Sequence, residues 1–344
     1  MKKIFFAFVA FAALAACSKE TTVDVAREEI AFGNAFVDNS TKADAATDPS
    51  YSTSGTKGVA LEQFNVYGAV NGVNIFNGNN VEKDGAAYGA AWTLTGAKQY
   101  WIAGADYKFV GVVDGSKTGV TAIEFDEAGL PESITYTADG ATDLLCDVVI
   151  VENAGAPYDI VEFNYTHLLS KINFAVRNTT SGDASNYRFV LTSAKLTNVY
   201  KSAVYGVDAD AWTTDDSDEN KREFVLENLT INSNSTQYHS KEVLLIPGSA
   251  VGVYIAANIE ATDDDPTADD AEWTVVSTVE KTFANALGMV DSTPKTLEIA
   301  TAYNFIVELG VGREIQFTAT TMAEWANGNT VDTDEDSVND SVVL

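Results

Sequence analysis

Few side chains in this sequence are equipped for chemistry, and Cys17 has the clearest setting. It closes the run Leu14-Ala15-Ala16-Cys17, after an unbroken apolar stretch that starts at Ile4 behind Lys2 and Lys3. Small residues ahead of a cysteine admit a signal peptidase, and the thiol takes a diacylglycerol before the cut. The apolar stretch is too short to span a bilayer stably. Residues 1–16 are therefore expected to be a removed secretory signal, with Cys17 the lipidated amino terminus. Buried acyl methylenes hold such a protein at a membrane, at about 0.8 kcal/mol each.

The remaining candidates read as structural. Cys146, in Leu144-Leu145-Cys146-Asp147-Val148-Val149-Ile150, is the only other cysteine. With Cys17 acylated no intramolecular disulfide can form, and Cys146 reads as a small buried hydrophobe. His167 and His239 lie near no cysteine and no serine elbow, so a nucleophilic triad has no support; His167 reads as a structural residue at a strand start. Asp332, Asp334 and Asp336, with Asp340, have calcium-loop spacing, but Ser337 stands where glycine makes the turn and Val343 where a glutamate closes the shell. That stretch reads as a solvated acidic tail. The glycines from Gly68 to Gly78 lack the lysine and the following helix of a phosphate loop. Carboxylates are so numerous that a pair at glycosidase separation carries no information. Trp92, Trp212 and Trp273 would stack on sugar if exposed, and otherwise pack in cores or at strand edges. No catalytic residue, cofactor or metal is expected, and the chain reads as a non-enzyme.

The elements that must carry these residues are strands. Short runs such as Gln63 to Val70, Tyr107 to Val113, Lys171 to Val176, Tyr187 to Leu191, Val251 to Ala256 and Tyr303 to Leu309 are separated by Gly, Asn, Asp, Ser and Thr, with little at helical spacing. Recurrent strands with turn chemistry between them predict β-sandwiches, and this length predicts two of them. A break at Asn153-Ala154-Gly155-Ala156-Pro157 predicts the boundary. Another soft segment, Asp38 to Gly58, separates the strand Glu29 to Val37 from the next and reads as an exposed loop. Fifty acidic residues against 21 basic ones give a net charge of -29, which repels nucleic acid and anionic lipid.

The order of short motifs resembles the fimbrillin family of Bacteroidales, subunits of type V pili. The lipobox precedes the alternating strand Ile30-Ala31-Phe32-Gly33-Asn34-Ala35-Phe36-Val37, then Asn39-Ser40-Thr41-Lys42-Ala43. Phe64-Asn65-Val66-Tyr67-Gly68, the Tyr100-Trp101 pair with Tyr107-Lys108-Phe109, and Asp143-Leu144-Leu145 follow. Then come Phe163-Asn164-Tyr165-Thr166-His167-Leu168-Leu169-Ser170-Lys171-Ile172-Asn173-Phe174, Leu244-Leu245-Ile246-Pro247, Tyr303-Asn304-Phe305 and a late Trp325.

This resemblance implies an all-β protein of two tandem transthyretin-like β-sandwich domains, spanning 43–160 and 161–344, behind a lipidated propeptide of residues 17–42. It implies a structural subunit of a fimbrium at the cell outer membrane, supporting adhesion and biofilm formation. Its partners would be a maturation protease, the outer membrane through the lipid, and other fimbrial subunits, self or accessory, joined by strand exchange. The removable first strand would be plugged in by Ile30, Phe32 and Phe36, and processing would fall at Lys42-Ala43. Lysine replaces the family's arginine there, so either the protease accepts lysine or the cut lies elsewhere, with Lys57 and Arg27 as candidates. For the donor, the tail through Val338, Val342, Val343 and Leu344 has irregular apolar spacing, whereas Glu314 to Thr320 alternates better but can belong to its own domain. The alternative is a non-polymerising surface lipoprotein, a fimbrial tip or anchor or an adhesin for glycan or host ligand.

Overall fold

Residues 107–113 show how this sequence dictates strands. Tyr107 and Phe109 project into one apolar core while Val110 and Val112 project into another, the alternation of a strand covered on both faces. Gly111 sits between them because a Cβ there would lie 2.3 Å from the Tyr165 hydroxyl oxygen and 3.0 Å from Phe163 Cδ1. Turns carry their own signature: Asn71 and Gly72 both have positive φ, 46° and 77°, the conformation of a tight two-residue hairpin.

The computed structural model describes residues 28–37, 61, 63–84, 91–113, 119–180, 186–226, 230–232, 239–268, 270–289 and 295–321. Its elements are strands and short 3-10 turns. In chain order the first nine strands are β1 (Phe32–Val37), β2 (Gln63–Val70), β3 (Val73–Lys83), β4 (Trp92–Leu94), β5 (Tyr107–Val113), β6 (Val120–Phe125), β7 (Pro131–Thr137), β8 (Leu145–Val151) and β9 (Val161–His167). The next six are β10 (Ser170–Asn178), β11 (Tyr187–Tyr200), β12 (Ser202–Gly206), β13 (Ala211–Thr214), β14 (Lys221–Leu226) and β15 (Thr230–Asn232). The last five are β16 (His239–Leu245), β17 (Gly252–Ala261), β18 (Thr274–Phe283), β19 (Ala302–Leu309) and β20 (Gln316–Thr321).

The largest sheet has the order β1-β9-β8-β5-β2-β3-β4. It curls until its two end strands approach: a Cβ at Gly33 of β1 would lie 3.8 Å from Trp92 Cδ1 of β4. The concave side encloses a core of Ile30, Phe32, Phe64, Phe76, Phe109 and Phe163 among others. The opposite face packs on a four-stranded sheet, β13-β12-β7-β6, where Val110, Val112 and Cys146 meet Ile134, Tyr136 and Tyr205. Two further sheets, β16-β10-β19-β20 and β14-β11-β17-β18, form a second sandwich around Phe174, Phe305, Leu196 and Ile255, with β15 also on β11.

The sheets do not part at residue 160, where the sequence placed the domain boundary. β9 pairs with β8 and with β1 in the first sheet, and the β12-β13 hairpin joins β7. The small-residue break is a turn inside the first sheet rather than a linker, for its backbone is tied down: Gly104 N–H donates to the Ala154 carbonyl at 2.7 Å and Ala154 N–H to the Ala105 carbonyl at 2.9 Å. The fourteen-residue β11 then returns the chain from the second sandwich to the first.

Candidate functional site

Among the described residues the sheet order gives β1 a single ladder partner, β9, to which it runs parallel. Phe32 pairs with Val161 and Gly33 with Glu162; after an irregularity, Phe36 pairs with Asn164 and Val37 with Tyr165. The approach to β1 is held on its other side by residues 98–101. Ile30 N–H donates to the Gln99 carbonyl and Trp101 N–H to the Glu28 carbonyl, both at 2.9 Å, with Glu29 and Tyr100 forming an antiparallel bridge. Lys98 Nζ stands 2.6 Å from Glu29 Oε2. The hydrogen bond and charge of Glu29 raise the Lys98 pKa above its ordinary value. Both groups are solvent-accessible, so the pair orients the strand more than it stabilises it.

Inside the slot, Ile30 is 1% exposed and Phe32 4%. The Phe32 ring meets Phe76 and Phe109 edge-on, with centroids 5.4 and 5.8 Å away, Phe64 edge-on at 6.4 Å, and lies parallel to Phe163 at 6.3 Å. Burying a large apolar side chain is worth about 1.5–3 kcal/mol, so these two together contribute several kcal/mol to closing the core. The floor continues through Trp101, which stacks on Tyr158 at 5.4 Å. Withdrawing β1 would uncover four phenylalanine rings and leave the edge of β9 with unpaired N–H and C=O groups. Such a site binds an extended chain by main-chain pairing and by pockets for alternate side chains.

Of the residues expected to act here, Ile30 and Phe32 share the core, while the side chain of Phe36 lies outside the described residues although its backbone is in β1. Cys17, Lys42 and Ala43 lie outside them as well, as do Arg27, Lys57, Trp325 and the tail with Asp332, Asp334, Asp336, Asp340, Val338, Val342, Val343 and Leu344. The strand Glu314 to Thr320 is seated in its own sandwich: β20 pairs antiparallel with β19, and Ile315 and Ala319 are buried in that core. His167 closes β9, is 2% exposed, and its Nδ1 lies 2.5 Å from Asp143 Oδ2. The side chain of His239 is outside the described residues. Cys146 is buried, and desolvation, followed by the neighbouring charge of Asp147, pushes its thiol up to about 12.

Trp92, Trp212 and Trp273 are each half-buried and packed against a neighbour. Trp92 lies against Phe64, Trp212 donates its indole N–H to the Leu168 carbonyl at 2.7 Å, and Trp273 sits under the Arg188 guanidinium. No cluster of metal-ligating side chains occurs among the described residues. Sequence reasoning missed the second wall of the slot, Lys98 to Trp101, together with Trp92 and Ile160 beside Gly33; the Tyr100-Trp101 pair was the one signal for it.

Stacked β-sheets, with the first strand at the end of the largest, place the chain in the all-β class of sandwich proteins. The family model for fimbrillin-like proteins matches residues 38–329, and the chain belongs to that family. A model for prokaryotic membrane lipoprotein lipid attachment sites matches residues 1–18, which include Cys17. No curated protein matches. Among solved structures, a fimbrial protein from Bacteroides vulgatus ATCC 8482 is 13% identical, with a TM-score of 0.52 over 76% of this chain and 93% of that one. A protein assigned to cell adhesion from Bacteroides uniformis ATCC 8492 is 14% identical, with a TM-score of 0.49 over 76% of this chain and 90% of that one. At 13% identity the likeness to the Bacteroides vulgatus protein is one of fold.

Proposed function

We propose that this chain is a structural subunit of a cell-surface fimbria, built of two transthyretin-like sandwiches, exported to the outer membrane as a lipoprotein through Cys17 and matured by proteolysis. A cut at Lys42-Ala43, between β1 and β2, frees β1 from the rest of the chain. A strand from another subunit then takes its place, and the head-to-tail contact, which does not close on itself, grows into a fibre. Adhesion and biofilm formation follow from the fibre. The observation that carries this reading is the seating of Phe32: four aromatic rings enclose a side chain whose strand has one ladder partner and stands at the sheet's end.

The amino-terminal sequence of the protein taken from the cell surface tests it. The expected start is Ala43, with a ladder of oligomers in the same preparation; Lys42→Ala should retain the upstream segment and abolish the ladder. A surface protein that keeps residues 18–42 and stays monomeric would overturn the fibre reading and leave a non-polymerising lipoprotein.

A further inference from the structure

The walls around residues 29–33 treat each position differently. Glu29 faces Lys98, Ile30 enters the core, Ala31 is exposed, and Phe32 fills the four-ring cage. At Gly33 a Cβ would lie 3.1 Å from Ile160 Cγ2 and 3.8 Å from Trp92 Cδ1. At the first distance the Ile160 side chain, itself 53% exposed, must shift by a few tenths of an ångström for alanine, and a β-branched residue adds two more atoms to the same space.

We infer that the slot reads a five-residue pattern in an extended strand lying parallel to β9: acidic, large aliphatic, unrestricted, aromatic, glycine. Lys98, Ile160 and the phenylalanine cage are the specificity-determining residues, an assignment that rests on the strand-exchange reading. The chain supplies its own control. Glu314-Ile315-Gln316-Phe317 repeats the first four positions of Glu29-Ile30-Ala31-Phe32, but the fifth is Thr318. The slot therefore accepts β20 less well than β1, for want of a glycine, and a fitting donor carries that glycine.

The test uses the full chain with a specific protease site placed between residues 43 and 57. After cutting, a fluorescent synthetic peptide of residues 27–37 is added in excess and its uptake followed by anisotropy. Relative to that peptide, Phe32→Ala should bind about a hundredfold more weakly and Gly33→Val roughly tenfold more weakly. A peptide of residues 312–320 should also bind more weakly. Glu29→Lys should lose about two- to fivefold, as a surface pair does, and regain it on a Lys98→Glu protein. The decisive arm is Ile160→Ala, which should restore Gly33→Val by opening the contact. If Gly33→Val enters the unaltered slot as readily as the parent peptide, or Ile160→Ala fails to restore it, the pattern is wrong while strand exchange stands. If the parent peptide never replaces β1, strand exchange fails and the pattern with it.

Discussion

Replacing Phe32 by alanine removes a ring that is 4% exposed and has four aromatic neighbours with centroids between 5.4 and 6.4 Å. The cage is built from β2, β3, β5 and β9, which cannot all move inward, so the cavity persists and the loss sits in the usual range for a buried Phe→Ala, about 3–5 kcal/mol. For a folding unit of this size each kcal/mol shifts the midpoint by roughly 2–4 °C, which gives a fall of about 6–20 °C in the melting of the first sandwich. The core of the second sandwich contains neither Ile30 nor Phe32, so its own transition should stay in place. Scanning calorimetry on the uncut chain separates the two. Hydrogen exchange adds a local check, since amides of β9 should lose protection while those of β17 keep theirs. A fall of less than about 2 °C would show that Phe32 is not what closes the core.

Other perturbations probe the rest of the molecule. Gly111→Ala should destabilise the first sandwich by about 1–3 kcal/mol, read as a lower urea midpoint, because the new methyl meets the Tyr165 ring and hydroxyl. Asp143→Ala, which removes one partner of buried His167, should cost about 0.5–1.5 kcal/mol in the same assay. Burial raises the Cys146 thiol from 9.0 to about 12 and also lifts the Tyr165 and Tyr205 phenols. The unfolded chain therefore gives up these protons first, so the stability they contribute is complete below about pH 9 and declines as pH rises through 9 to 12. Urea titrations at pH 8 and pH 11 should differ accordingly, and Cys146 should resist maleimide at pH 8 until the chain unfolds.

Much of this was legible in single residues. Strands β2 and β5 match the alternating runs Gln63 to Val70 and Tyr107 to Val113 residue for residue, because apolar side chains on alternate positions admit one pleated solution. β3 was hidden: Val73-Asn74-Ile75-Phe76-Asn77-Gly78-Asn79-Asn80 is rich in residues that strands disfavour, and its pairing with β2 comes from the Asn71-Gly72 turn. That dipeptide was the available signal. The break at Asn153 to Pro157 is ambiguous for a related reason, as Gly and Pro punctuate turns within a sheet and linkers between sheets in the same letters. The slot's far wall was out of reach. Contacts of Glu28 and Ile30 with Gln99 and Trp101 span some seventy residues and depend on how far the sheet curls, which no local pattern encodes.

The proposed removal of β1, with Ile30 just ahead of it, would have to leave a folded subunit, and the placing of Ile30 and Phe32 bears on that. Ile30 and Phe32 belong to one of three cores; the core between the first two sheets and that of the second sandwich contain neither. Uncovering the two side chains forfeits about 3–6 kcal/mol, against a typical stability of about 5–15 kcal/mol for a folded domain. On the proposed reading the cut subunit would keep its remaining sheets while exposing an apolar cleft flanked by a free strand edge, which another strand would cover. Had Phe32 bridged two cores, its loss would unfold the subunit before a neighbour arrived. Had it lain on the surface, nothing would draw the neighbour in. The placing of Ile30 and Phe32 in a single core at the end of one sheet fits both conditions, and the cut chain after β1 is stripped away should accordingly keep the hydrogen-exchange protection of β17 and β19 while binding a hydrophobic dye at the vacated cleft. Loss of protection in β19 on removal of β1 would break this reasoning.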